Sequence, residues 1–466
     1  MIRPALDVSR TQLRLAELIG ALSYALDISE GQPPGHCVRC CWIGMQLGRA
    51  IGLAEAELSE LYYTLLLKDL GCSSNAARIC QLYVTDDLAF KRDFKTNDGS
   101  LHQILGFVLS HTGLGVGFLE RFKIMLTSLG TAEAAAQELT TTRCQRGATI
   151  ARRLRFSERV ACGIHSLDEH WNGQGRPEGL AADAIPIYSR IALLAQVVDV
   201  FGTSNGPQAA LEEARSRSGR WFDPQLVDAL LAFSPSHPLW TTWSSPELSA
   251  IVLAEAPAQF SVDVDDDYLD EITAAFGEVV DSKSPYTAGH SGRVALYSDL
   301  LAADLELPMP RRRWLRRGAL LHDVGKLGVS NAILDKAGKL DATEWEAVRK
   351  HALYTEQILM RIPQFVDLAV VAGAHHERLD GKGYPRGLRA DEIALETRII
   401  TVADVFDAIS ADRPYRAATP VGRTLDIMSE GSGTAFDADC LAALRRVVGS
   451  LAQVEATLRE ARPSNT

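Results

Sequence analysis

The sequence predicts an all-α protein built from two tandem helical bundles, and three observations predict it. Apolar residues recur at spacings of three and four, as in Leu15, Leu18 and Ile19 or Ile358, Leu359 and Ile362, the period of a helix with one buried face. The chain has 466 residues, too many for one ordinary core and suited to two. Landmarks of the first half also return in the second.

The repeat is read from five pairs. GHCVR at Gly35 to Arg39 echoes GHSGR at Gly289 to Arg293, and LLKDLG at Leu66 to Gly71 echoes LLHDVG at Leu320 to Gly325, both offset by 254 positions. NGQGRPEGL at Asn172 to Leu180 echoes DGKGYPRGL at Asp380 to Leu388, and SRIALL echoes TRIITV, at an offset of 208; RWFDP echoes TAFDA at 214. The step from 254 to 208 leaves 46 extra residues in the first copy, between Asp69 and Arg143. Between the copies, residues 236–264 are rich in Pro, Ser and Trp and break the helical period. They are expected as a linker between a first domain over 11–235 and a second over 265–462. The acidic DVDDDYLDE suits a helix start, where carboxylates face the positive end of the backbone dipole.

Composition narrows the function. With 46% hydrophobic and 23% charged residues, both halves are expected to fold. A net charge of -11 argues against a general nucleic-acid binder or an anionic-membrane surface. No apolar run approaches the roughly 20 residues of a bilayer span, and MIRPALDVSR shows no basic segment followed by an apolar core. A cytoplasmic protein without a membrane span is expected. Seven of the eight cysteines fall in the first half without paired CxxC modules, so they read as reduced thiols. The cluster Cys37, Cys40, Cys41 is expected in a helix rather than at a metal.

The chemistry concentrates in the second copy, at His290, the doublet His322 and Asp323, His351, the doublet His375 and His376, and Asp404. WLRRGALLHDVGKLG reads as an apolar helix delivering His322 and Asp323 at its end, where Gly325 stops it. Neutral imidazole binds one borderline metal, whereas a carboxylate has two oxygens and can bridge a pair. Lys326, one turn on, can neutralise a phosphate. In HHERLDGKGYPRGL two imidazoles precede three glycines and a proline, which force a loop able to wrap close to a ligand. Gly383 and Tyr384 are its expected substrate contacts. Consecutive histidines on a regular helix point about 100° apart and so suit two neighbouring metals. Glu377, Arg378 and Asp380 either orient those imidazoles or fix the loop.

HDVGK, HHERLDGKGYP and ADVFDAISADRPYR resemble the motifs of the HD-GYP family, a branch of the HD phosphohydrolases, from Asp265 to Arg446. The resemblance implies that both bundles are HD-domain-like. It implies two divalent metals, Fe or Mn, held by His290, His322, Asp323, His351, His375, His376 and Asp404, with Asp323 as the bridge. It further implies hydrolysis of cyclic di-GMP to linear pGpG, and on to GMP, by in-line attack of a metal-activated hydroxide on phosphorus. His322, Asp323 and Lys326 would be catalytic, and Lys326, Arg413 and Arg416 would contact the dinucleotide. Members with a third metal carry a glutamate where Tyr286 stands, so two metals are expected. Arg416 replaces a common lysine, keeping charge but changing geometry.

In the first copy His36 and Asp69 persist, but Lys68 replaces the doublet histidine, Arg143 falls on His351, Gln196 on Asp404 and Asn205 on Arg413. The double histidine becomes either His165 with Ser166 or Leu167 with Asp168, according to the placing of a two-residue gap. This copy reads as degenerate. Lys68 and Arg143 are expected to fill the old site by pairing with Asp69, and the copy is expected to pack against its partner as a regulator or support. Two other readings stand beside hydrolysis of cyclic di-GMP. One is an inert receptor or signalling scaffold, homodimeric or bound to a protein partner, with a basic face at Arg311, Arg312, Arg313, Arg316 and Arg317. The other is a hydrolase of a different cyclic dinucleotide.

Overall fold

A computed structural model describes residues 13–97, 101–114, 116–256, 264–412 and 417–460, and among these there are helices and isolated bridges but no strand. The all-α expectation holds. The chain gathers into two compact units. The second holds everything from Thr273 onward together with Ser73–Leu88, a segment of the first sequence copy.

The second unit is built on helices His290–Asp304, Met309–Leu321, Ala342–Leu359, Val366–Gly373, Leu395–Ser410 and Ala438–Glu460. Local chemistry starts them. Gly289 takes the left-handed conformation (φ 70°) before the first, and the Asp281 carboxylate receives the Ser291 N–H and hydroxyl there. Asp341 and Glu344 close a reciprocal capping box on the helix that carries His351. Leu301, Leu315, Ile399, Ile400 and Phe406 are buried at its core, each contributing about 1.5–3 kcal/mol by burial. One close approach fixes the site. A β-carbon on Gly325 would lie 1.9 Å from the His351 carbonyl oxygen, so the turn after Asp323 rests directly on the helix of His351.

The first unit repeats this plan with helices Leu15–Ser29, His36–Ala50, Glu55–Leu67, Phe118–Arg153, Glu158–His165 and Ile187–Ser216. Gly35 (φ 87°) stands before its second helix, and Asp27 accepts from the N–H groups of Gly35 and Cys37 at 2.7 Å. Gly71 approaches the Arg143 carbonyl as Gly325 approaches that of His351. Glu169 accepts from the backbone of Glu178, Gly179 and Leu180 as Glu377 does from Arg386 and Leu388. The ungapped offset therefore holds through this loop, and the counterparts of His375 and His376 are Leu167 and Asp168. The extra residues form helices Ala76–Tyr83, Asp87–Phe94 and Leu101–His111 and lengthen the next helix to 36 residues, against 18 for Ala342–Leu359.

Lys68 occupies the heart of the first unit. Its ammonium lies on the Asp69 carboxylate, 3.1 Å from His36 Nε2 and 3.0 Å from Gln196 Oε1, the counterparts of Asp323, His290 and Asp404. Burial, joined by the Lys68 charge, lowers His36 to about 4, so its imidazole is neutral and accepts from the lysine. Arg143 differs from expectation: it pairs with Asp168 rather than Asp69, because the same loop register sets Asp168 beside it. Cys37, Cys40 and Cys41 are buried, and burial pushes their thiols up, away from the reactive thiolate.

The expected linker departs from its reading. Pro238–Trp243 and Leu248–Ala254 are helices of the first unit, and Trp240 and Trp243 are buried. Trp243 Nε1 donates to Asp199 at 2.9 Å and Trp42 Nε1 to the Leu239 carbonyl at 3.0 Å. Indole burial with a satisfied N–H outweighs the prolines that break the period.

Gly325→Ala is expected to lose more than about 4 kcal/mol, since backbone must move, while Gly422→Ala, with nothing within 4 Å, changes stability by about 1 kcal/mol or less. Urea unfolding followed by circular dichroism checks both. Lys68→Ala leaves Asp69 buried without its cation and is expected to cost about 3–5 kcal/mol. An unfolding midpoint equal to that of the parent chain would refute that role for Lys68.

Candidate metal centre

Helix ends and one turn after a helix deliver the candidate ligands of the second unit. His290 opens its helix, His322 closes Met309–Leu321 with Asp323 next, and His375 and His376 follow Val366–Gly373. His351 and Asp404 project from helix interiors. The structure thus brings together all seven residues expected from the sequence.

Asp323 stands between two groups. Its Oδ2 lies 3.4 Å from His290 Nε2 and 3.2 Å from His322 Nε2. Its Oδ1 lies 3.5 Å from His351 Nε2 and 3.6 Å from His375 Nε2. Asp404 Oδ1 adds to the first group, 3.4 Å from His290 and 3.8 Å from His322. His376 joins the second, its ring 4.0 Å from that of His375 and 5.0 Å from that of His351. Side-chain atoms of His351, His375 and His376 all lie within 4.8 Å of one another, as do those of His290, His322 and Asp404.

Each imidazole is aimed from behind. Nδ1 of His322, His351 and His375 donates to the carbonyls of Ala319, Val348 and Ala372 at 2.8, 2.5 and 2.6 Å, which turns Nε2 inward. His290 Nδ1 is held by Asp407 at 2.7 Å, and Asp407 by Arg293 Nε at 2.6 Å. Asp407 and Arg293 were not anticipated as parts of the site. Their signal was available: Asp199 and Arg39 make the same triad with His36 in the first unit. Glu377, in contrast, fixes the loop through Arg386 and Leu388, and Arg378 pairs with Asp380.

His290 Nε2, His322 Nε2 and Asp323 Oδ1 are buried and make no hydrogen bond, an arrangement costly in itself and satisfied by a cation among them. Burial would lower His290 and His322, but the carboxylates of Asp323 and Asp404 carry His290 well above the ordinary imidazole value and His322 to about 9. Protons stabilise this acidic end, and a divalent cation would displace them. At the other end burial lowers His351 to about 4 and His376 to about 3, leaving neutral imidazoles with lone pairs. The donor set therefore fits borderline divalent metals.

A cavity of about 1070 Å³ opens on the centre, lined by His290, Asp323, His351, His376 and Asp404. Lys326 reaches it with Nζ 2.5 Å from Asp323 Oδ2, and Tyr384 lines it with its ring 4.7 Å from that of His376. Gly383 is not in the lining; it lets its loop fold onto itself, where a β-carbon would stand 2.4 Å from Arg378 N. Tyr286 and Trp345, half exposed, line the cavity as well. Arg413 and Arg416 lie outside the described residues. The basic helix is less open than its sequence suggests: Arg311 pairs with Glu396, Arg312 with Asp299, and Arg317 is buried.

The HD domain family profile matches residues 122–226 and 275–440. The 3'3'-cGAMP-specific phosphodiesterase 3 of Vibrio cholerae is 55% identical over 446 residues, covering 96% of this chain and 97% of that protein. A cyclic di-GMP phosphodiesterase of Pseudomonas aeruginosa is 41% identical over 165 residues, 35% of this chain and 40% of its own length. The crystal structure of a cyclic GMP-AMP specific phosphodiesterase of V. cholerae superposes with a TM-score of 0.65 at 51% identity, covering 94% of this chain and 98% of that one. In both its copies, then, the chain belongs to the HD domain family, within the HD-GYP phosphodiesterases.

Proposed function

We propose that the chain is a metal-dependent cyclic dinucleotide phosphodiesterase whose substrate is 3'3'-cGAMP. The observation that carries the chemistry is Asp323, with each carboxylate oxygen facing a different set of histidines and with unpartnered buried ligand atoms around it. His290, His322, Asp323 and Asp404 would hold one divalent ion, and Asp323, His351, His375 and His376 a second, Fe or Mn suiting the mixed nitrogen and oxygen donors. When bound, such ions lower the pKa of water and neutralise charge growing on a phosphoryl group.

The chain's own groups do the rest. Asp407 and three backbone carbonyls keep the Nε2 atoms facing inward. Lys326, at the cavity wall, places a positive charge against a phosphate. Trp345 and Tyr286 offer flat faces to purine bases, and stacking of this kind is worth about 1–3 kcal/mol per base. Water adds to phosphorus, the bond from phosphorus to the 3' oxygen breaks, and a linear dinucleotide with a 5' phosphate results. Expectation from the sequence named cyclic di-GMP. The relative matched along nearly the whole chain acts on 3'3'-cGAMP, while relatives acting on cyclic di-GMP match about two fifths of it or less, which favours the mixed dinucleotide.

Purified protein loaded with Mn is expected to convert 3'3'-cGAMP to one linear product, and cyclic di-GMP more slowly, as resolved by chromatography. EDTA should abolish turnover and added Mn restore it. The double substitution His322→Ala, Asp323→Ala is expected to lower kcat by at least about a thousandfold. Binding of both dinucleotides without turnover would overturn the enzyme reading in favour of a receptor.

A further inference from the structure

We infer that Asp87, which belongs to the first sequence copy, is a positioning residue for one wall of the catalytic cavity. The inference rests on the proposed reading of that cavity as the nucleotide site. Ser73–Leu88 lies among the residues that the first copy carries in excess, and it gathers with the second unit. At one end Ser73 Oγ donates to the Val279 carbonyl at 2.8 Å and meets Ser282 Oγ at 2.9 Å. At the other end stands Asp87, fully buried.

Besides Cys80 of its own segment, Asp87 meets residues that build the wall. Its Oδ1 accepts from Ser330 Oγ at 3.0 Å and from Asn331 N at 2.7 Å, and Lys283 Nζ lies 3.3 Å from Oδ2. Asn331 Nδ2 donates to the Lys283 carbonyl at 2.7 Å and to Asp335 at 2.8 Å, and Ser284 Oγ donates to Asp335 at 2.6 Å. The network closes on itself and ties Lys283 and Ser284 to the segment from Ser330 to Asp335. Lys283, Ser284, Ile333, Leu334 and Asp335 all line the cavity that His290 and Asp323 also line.

Energetics make Asp87 the keystone of that wall. A carboxylate removed from water is stable only when paired and hydrogen-bonded, so Asp87 holds Ser330, Asn331 and Lys283 as firmly as they hold it. Helix Asn331–Leu334 has four residues and cannot sustain itself by backbone bonds alone. Asp87 touches none of the candidate metal ligands in the hydrogen bonds described, so it acts on binding through the wall. The excess of the first copy thereby gains a role: part of it completes the unit that carries the metal centre.

The test uses full-length protein. Asp87→Ala is expected to raise KM for 3'3'-cGAMP about tenfold while kcat falls no more than about threefold and metal content stays that of the parent. Amide hydrogen exchange across residues 330–340 should accelerate, with that of the His290–Asp304 helix unchanged. Asp87→Asn keeps an acceptor for the Asn331 N–H and should recover a large part of both effects; it also carries the comparison should the alanine variant fail to fold. An unaltered KM together with unaltered exchange overturns the inference, as does a loss of kcat proportional to lost metal. If the parent chain turns over no cyclic dinucleotide, the proposed function fails, and the exchange measurement still decides the role of Asp87.

Discussion

A single buried carboxylate, shared between two groups of imidazoles, is the constraint on which the second unit depends. Asp323 can serve both groups only if the turn after it lies against the helix of His351, and Gly325 allows that by presenting no side chain to the carbonyl there. Around this contact the helix ends must converge, which explains the capped starts near Ser291 and Asp341 and the carbonyls that steer each ring. Cation binding would offset the cost of gathering these unpartnered polar atoms, which would couple stability and chemistry at one place.

Much of this was legible in the amino-acid order because metal chemistry leaves discrete marks. His322 with Asp323 at the end of an apolar helix and His375 with His376 before a glycine-rich loop are local signals, and the structure gathers them as their types suggest. Asp407 escaped because an aspartate inside a helix resembles any other; only its persistence as Asp199, beside Arg39 and His36, marked it. The gap opposite His375 and His376 stayed open because its resolution depends on which backbone groups Glu169 accepts from, a fact of three dimensions. The six-residue helix that carries Trp240 and Trp243 and the seven-residue helix after it are too short to show a period and passed for a linker. Nor does any periodicity reveal that Ser73–Leu88 joins the second unit.

Substrate identity is legible to a lesser degree than reaction type, for a physical reason. Metal ligands must meet fixed distances and donor types, so few residues qualify. On the proposed reading bases would be recognised by the cavity walls, where Trp345, Tyr286 and the segment around Asn331 come from separate stretches of chain with no shared motif. Specificity among cyclic dinucleotides would then reside in parts of the fold that the HD motifs do not describe.

Lys68 gives the first unit a cation that never dissociates. A metal ion must be acquired, is lost to chelators and exchanges with whatever the cell supplies; an ammonium on the chain is delivered by translation itself. If the second unit holds metal as proposed, two copies of one architecture have parted in what supplies their central cation. On that reading one copy would need a metal ion to neutralise its core, and the other carries its cation on its own chain.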